Sequence, residues 1–291
     1  MDHECSNNFL VFSIHNPLLR TTRYHAAATQ AGNWPKLCAL MSTANKVNPG
    51  KTQCDSGTKG PPGEQPEEDY SALIFAKEAS RLITRHAEVY TPQGIPMFMY
   101  LPWQSVHGPE ESPSRFVDMY GDPTDKAHYI ADVGRRTHQG MVSALDEAIG
   151  NVTATLKETG LWDNLFIWFT SDNGGPLPGA NNFPMRGGKF TDWEGGTRVR
   201  AFVHGSPQLL PLARVGTKFD GMMHACDVFR TFLELASITL PHNGDDATGG
   251  GTGPVAFDGY NQLEALRSGN ASMSKRHEVS FCSIRKLGSV S

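Results

Sequence analysis

Apolar residues recur along the chain in two alternating rhythms. Ala72, Phe75, Ala76, Ala79, Leu82 and Ile83 fall three or four residues apart, which predicts one buried helical stripe from Tyr70 to about His86. The acidic trio Glu67, Glu68 and Asp69 precedes it, where negative charge suits a helix start. A second stripe, Met141, Leu145, Ala148, Ile149, Val152 and Leu156, ends near Gly160, a residue suited to helix termini. Two short aromatic runs, "IPMFMYLPW" (Ile95 to Trp103) and "NLFIWFTS" (Asn164 to Ser171), predict buried strands. "RVRAFVHG" places Val199, Ala201 and Val203 on one face and predicts a further strand, and "DVFRTFLELA" (Asp227 to Ala236) predicts a capped helix.

Helix and strand in alternation predict an α/β fold, a largely parallel sheet covered by helices, in which ligands bind beyond the carboxyl ends of strands. "QSVHGP" and "FTSDNGG" both leave such ends. Residues 1–66 read as an irregular or linker-like region that finishes in a Gly, Pro and charge-rich tract. Residues 67–240 form the expected core, and 241–291 a glycine-rich connector and tail. There is no internal repeat.

Composition narrows the class. With 291 residues and 38% apolar content the chain is long and apolar enough for a large core. A net charge of -4 with scattered basic residues disfavours nucleic acid or an anionic membrane surface as partner. No apolar run approaches a membrane span, and the first residues do not make a signal peptide. The five cysteines form no CxxC pair, which removes the usual structural zinc and thioredoxin readings. "NVT" at Asn151 and "NAS" at Asn270 are glycosylation acceptors, meaningful in a secretory compartment.

Three loops carry candidate chemistry. Asp172 and Asn173 offer adjacent oxygen donors that suit a hard cation, and with Gly174 and Gly175 they equally suit a plain turn. His107 is either a solvated loop imidazole or a proton donor near neutrality. Lys189, in "MRGGKFTDWEGG", is either a surface lysine or a fixed ammonium brought close to an oxyanion by flanking glycines. A hard cation, an acid and an ammonium together suit an anionic ester, a sulfate or a phosphate.

Five segments in order, "FMYLPWQSVHGP", "GMVSALDEAIGNVTATLKETGLWDN", "FTSDNGG", "GANNFPMRGGKFTDWEGGTRV" and "FDGMMHACDVFRTFLELA", closely resemble the sulfatase family, in particular its arylsulfatase B-like branch. The likeness runs from about Tyr70 to Gly259. It implies an alkaline-phosphatase-like mixed sheet flanked by helices, incomplete at its N-terminal side, and a hydrolase of sulfate esters using calcium, with an aryl sulfate or sulfated glycosaminoglycan sugar as substrate. By this resemblance Asp172 and Asn173 match two calcium ligands, Lys189 the sulfate-contacting lysine, and His107 the histidine near the ester oxygen. It further implies a lysosomal or secreted protein.

The family nucleophile is a formylglycine made from a cysteine followed by any residue, Pro or Ala, any residue and Arg; none of the five cysteines has that context. The look-alike "ESPSR" carries Glu111 at the cysteine position and follows the His107 loop, whereas the family motif precedes it. An Asp-Asp pair after the first strand and a "GKWHLG"-like loop are also missing, so the chain reads as truncated at its N-terminus. "FLVFSI" leads into His15 and Asn16, and Asp245–Asp246 sits in the connector. His138 and Gln139 stand where relatives often carry Tyr and Ala. These departures leave a second expectation, a catalytically inactive fragment or pseudoenzyme that acts by binding. A related phosphatase would pair Asp with His for zinc, whereas Asn173 favours the hard-metal line.

Overall fold

The computed structural model describes residues 8–14, 25–26, 67, 70–108, 110–177, 179–238 and 258–279. Most of the 1–66 tract, the connector with Asp245–Asp246, and the last residues lie outside this set. The elements are β1 (Asn8–Ile14), β2 (His25–Ala26), α1 (Ser71–Val89), β3 (Met97–Trp103), α2 (Ser114–Asp118), α3 (Val133–Glu158), β4 (Leu165–Ser171), α4 (Glu194–Thr197), β5 (Ala201–Gly205), α5 (Ala225–Leu235) and α6 (Leu263–Ser268).

α1 buries Ala72, Ala76, Ala79 and Ile83 of the predicted stripe, with Phe75 and Leu82 partly buried against the same core. Their small side chains let α1 pack closely on α3, which presents Ala144, Leu145, Ala148, Val152 and Leu156 in return. α3 begins eight residues before Met141, because Asp132 caps it, its carboxylate accepting the backbone N–H of Arg135 at 2.7 Å. The first turn of α3 is exposed and its one apolar residue is Val133, so no apolar period announces it. Gly140 keeps the helix against α2: a Cβ there would come within 3.1 Å of Ser112 Oγ and the Val117 nitrogen. The helix ends before Gly160, whose φ of 71° is left-handed.

The sheet order is β2-β3-β1-β4-β5. β1 runs antiparallel to β3 and to β4, β5 runs antiparallel to β4, and only β2 and β3 pair in parallel. The sheet is therefore mixed, as the resemblance implied, and only the largely parallel order expected from the alternation of helix and strand is corrected. β3 and β4, linked through α3, do point the same way, as a helical crossover demands. A strand from the region read as irregular inserts between them, and β5 returns through a loop that needs no crossover.

β4 explains the architecture. Leu165, Phe166, Ile167 and Trp168 are all buried, because both faces of the strand are covered. Leu165 and Ile167 join the α1–α3 core, while Phe166 and Trp168 join a second core with Phe232, Leu235, Leu263 and Leu266. Phe166 meets Phe232 edge to face at 5.6 Å. Helices thus cover a central sheet on two sides, and no helix among the described residues is long and apolar enough to cross a membrane.

Residues 258–279, read from sequence as part of a small tail, pack on α5 through Asp227. The buried Asp227 carboxylate accepts the backbone N–H of His224 at 2.9 Å, the N–H of Tyr260 at 2.9 Å and Gln262 Nε2 at 3.1 Å. It is ion-paired with Arg276 Nη2 at 2.7 Å. Burial pushes its pKa up, but the Arg276 guanidinium and these donors outweigh burial and hold it below the usual carboxylate value. The contribution is therefore present above the ordinary Asp pKa and lost as pH falls through the depressed one. Replacing Asp227 with Ala strands Arg276, and urea unfolding should show a loss of about 3–5 kcal/mol at neutral pH, shrinking in acid.

Candidate functional site

The register of β1 aligns two loops. Asn8 pairs with Trp103 on one side and with Ser171 on the other, so β3 and β4 end level at the same edge of the sheet. With one strand between them, those ends stand about 10 Å apart. The "QSVHGP" loop leaves the first end and Asp172–Asn173 the second. Near its start the first loop is held by Ser105, buried and 3.3 Å from the Tyr70 hydroxyl. His107 follows, half-buried, with Nδ1 against the carbonyl of Gly108.

Asp172 is exposed at the sheet end, and Asn173 is half-buried. Burial, and then the Asp172 carboxylate, raise the pKa of the Tyr100 hydroxyl on β3, so the Asp172 charge is felt across the intervening strand. Beyond Asn173 the chain is bound into the loop that carries Lys189. The backbone N–H of Gly174 donates to Gly196 at 2.8 Å, and that of Lys189 to Gly175 at 3.0 Å. Asn182 substitutes for a strand partner, accepting the N–H of Gly175 at 2.9 Å and donating Nδ2 to its carbonyl at 3.0 Å. Gly195 donates to Arg186 at 2.8 Å, closing the loop on itself.

This junction admits no side chain at its centre. A Cβ on Gly174 would overlap the carbonyl oxygen of Gly195, which is backbone and cannot rotate aside. A Cβ on Gly196 would likewise overlap the carbonyl of Thr191. Around it Arg186 stacks on Trp193 at 3.8 Å, and Lys189 Nζ lies 5.2 Å from the Phe190 ring centre.

Among the predicted residues, the backbone of Lys189 is thus fixed two residues from Asn173, while His107 reaches the same sheet end on its own loop. Asn151 is exposed on α3, and Asn270 is exposed and caps a turn by accepting from Ser272; neither belongs to this edge. In the "ESPSR" look-alike, Arg115 bridges Glu67 at 2.8 Å and Glu147 at 2.6 Å, a packing role. Sequence reasoning missed Asn182 and Glu110, and noted His138 only as a departure from relatives and not as the partner of Glu110.

Calcium takes six to eight oxygens. Asp172 and Asn173 have the right donor chemistry, but the described residues hold no group of three or more His, Cys, Asp or Glu suited to a metal. β1 ends at the far edge of the sheet, where Ile14 pairs with Met97 and Leu165. The residues present therefore fit part of a calcium shell and not a whole one.

Comparison with known proteins decides the family. The model of the family described as Sulfatase matches residues 23–238, well over half of the chain. The chain belongs to the sulfatase family. It is 33% identical to mouse (Mus musculus) arylsulfatase J over 201 residues, covering 69% of this chain and 29% of that one. It is 35% identical to mouse steryl-sulfatase over 227 residues (73% and 30%), and 28% identical to human (Homo sapiens) N-acetylgalactosamine-6-sulfatase over 201 residues (67% and 32%). Among solved structures, Ps i-CgsB in complex with k-i-k-neocarrahexaose superposes with a TM-score of 0.55 at 29% identity, covering 68% of this chain and 38% of that one. The chain spans about a third of the length of these curated relatives, and its sheet is the α/β core expected of a sulfatase.

The glycine junction makes a sharp prediction. Gly174→Ala should push the two arms of the β4–β5 connection apart and cost about 1–3 kcal/mol, read as a lowered urea midpoint with faster amide exchange at Gly175 and Lys189.

Proposed function

We propose that the protein acts on sulfate esters, and that this chain supplies the loops that bind the sulfate group. The observation that carries the reading is the hydrogen bond from Lys189 to Gly175, which fixes an ammonium-bearing residue beside the Asp172–Asn173 turn. Hydrolysing a sulfate ester requires charge stabilisation on the sulfate oxygens, a proton for the leaving oxygen, and a nucleophile at sulfur. Lys189 meets the first need, its ammonium pairing with a sulfate oxygen. His107, on the neighbouring strand end, meets the second by donating to the ester oxygen. Asp172 and Asn173 are proposed as two ligands of a calcium ion whose remaining ligands this set does not provide. A sulfated sugar is the favoured substrate class, since relatives include one named for N-acetylgalactosamine 6-sulfate and a neighbour solved with a neocarrahexaose.

A second reading, binding without turnover, rests on a specific observation. None of the five cysteines stands in the context that yields the family nucleophile, and Cys226, the one cysteine among the described residues, lies in the α5 cap beside His224 and Arg276. A turnover assay on a chromogenic aryl sulfate separates the two. A hydrolase should turn over above background and lose about 10²–10⁴-fold in rate on His107→Ala; equal, background-level rates for both would leave binding alone. In either case Lys189→Ala should weaken protection of the chain by inorganic sulfate in a thermal melt.

A further inference from the structure

Glu110 lies three residues beyond His107, and Gly179 six beyond Asn173, so each belongs to one of the two site loops. The Glu110 carboxylate packs against Gly179 so closely that a Cβ there would overlap Oε1. Its Oε1 is also 3.5 Å from His138 Nδ1 on α3, and a Cβ on Gly134, in the first turn of that helix, would come within 3.8 Å of Oε2. His138 is close to fully buried, with 11% of its side chain exposed, and among the described residues its Nδ1 has no hydrogen-bond partner.

We propose that Glu110 is a positioning residue: its carboxylate, lodged between His138 and Gly179, fixes the His107 loop against the segment that follows Asn173. The role rests on reading those loops as the sulfate site. Burial holds the His138 imidazole below its usual pKa, Glu110 pulls it back up, and Arg135 pushes it down. Glu110 and Arg135 are the charged groups that act on the ring.

The direction of the pH effect follows from linkage. Opening the loop returns water to the imidazole and restores an ordinary pKa, so the open form takes up a proton more readily than the closed one. The closed arrangement is thus fully present above the ordinary imidazole pKa of about 6.5 and is lost as pH falls through it toward the depressed value. Acid loosens the two loops, and neutral pH holds them together.

Amide hydrogen exchange on the full chain tests this without any ligand. Rates corrected for intrinsic pH dependence are read over 110–118 and 179–185, with Ser71–Val89 as a control for global folding. Both segments should exchange about two- to fivefold faster at pH 5 than at pH 7.5. His138→Gln should abolish that difference. Glu110→Gln should loosen both segments at pH 7.5 and enlarge the acid effect, because the anion that offsets burial of the protonated ring is gone. Gly179→Ala, which displaces the carboxylate but keeps its charge, should loosen both segments as well. Exchange that is independent of pH in the unmodified chain, or unchanged by Glu110→Gln while the control helix holds, would overturn the role. Adding inorganic sulfate separates the two claims: if sulfate protects neither loop but the pH response persists, the sulfate reading fails and the positioning contact stands.

Discussion

The site depends on one steric constraint, the approach of two backbones at Gly174 and Gly195 with no room for a side chain between them. That approach lets Gly174 bond to Gly196 and Lys189 to Gly175, and so ties the two arms of the long β4–β5 connection into one hydrogen-bonded unit. Backbone polar groups that would otherwise need water find partners there. The exposed Phe190, Trp193 and Arg186 and the half-buried Lys189 extend from this rigid knot.

The sheet determines where the knot sits. Because β4 is buried on both faces, its direction and register are held by two separate cores, one under α1 and α3 and one under α5 and α6. Slipping it by one residue would exchange Phe166 and Trp168 with Leu165 and Ile167, small for large, in both cores at once. Its carboxyl end is therefore a fixed platform for Asp172, and β3, level with it across β1, is the corresponding platform for the His107 loop. The second core in turn depends on Asp227 and Arg276, which clip residues 258–279 to α5.

Legibility in the sequence followed the range of the interaction. The stripes of α1 and α3, and the strands β3 and β4, were readable because periodicity and turn residues act over a few positions. Asp172, Asn173, Lys189 and His107 were readable as loop chemistry, and the order of the segments pointed to the family. β1 was not, because "FLVFSI" carries no sign of which strands it will pair with, and its insertion is what makes the sheet mixed. Asn182 and Glu110, and His138 as the partner of Glu110, were missed for a related reason: each acts on a partner in another loop or element, by shape or charge that no local pattern encodes. Asp227 was visible as a capping residue, but not its grip on a segment 33 to 49 residues downstream.

Lys189, His107 and the Asp172–Asn173 turn are the groups we propose to hold an anion, while the nucleophile and the rest of a calcium shell are not among the residues described. The most direct test of the joined-loop account is a titration of the isotopically labelled chain with inorganic sulfate, following backbone amide resonances. The account predicts that amides of 172–175, 188–189 and the His107 loop move together along one saturating curve. Independent curves for the two loops, or shifts confined to other parts of the molecule, would contradict it.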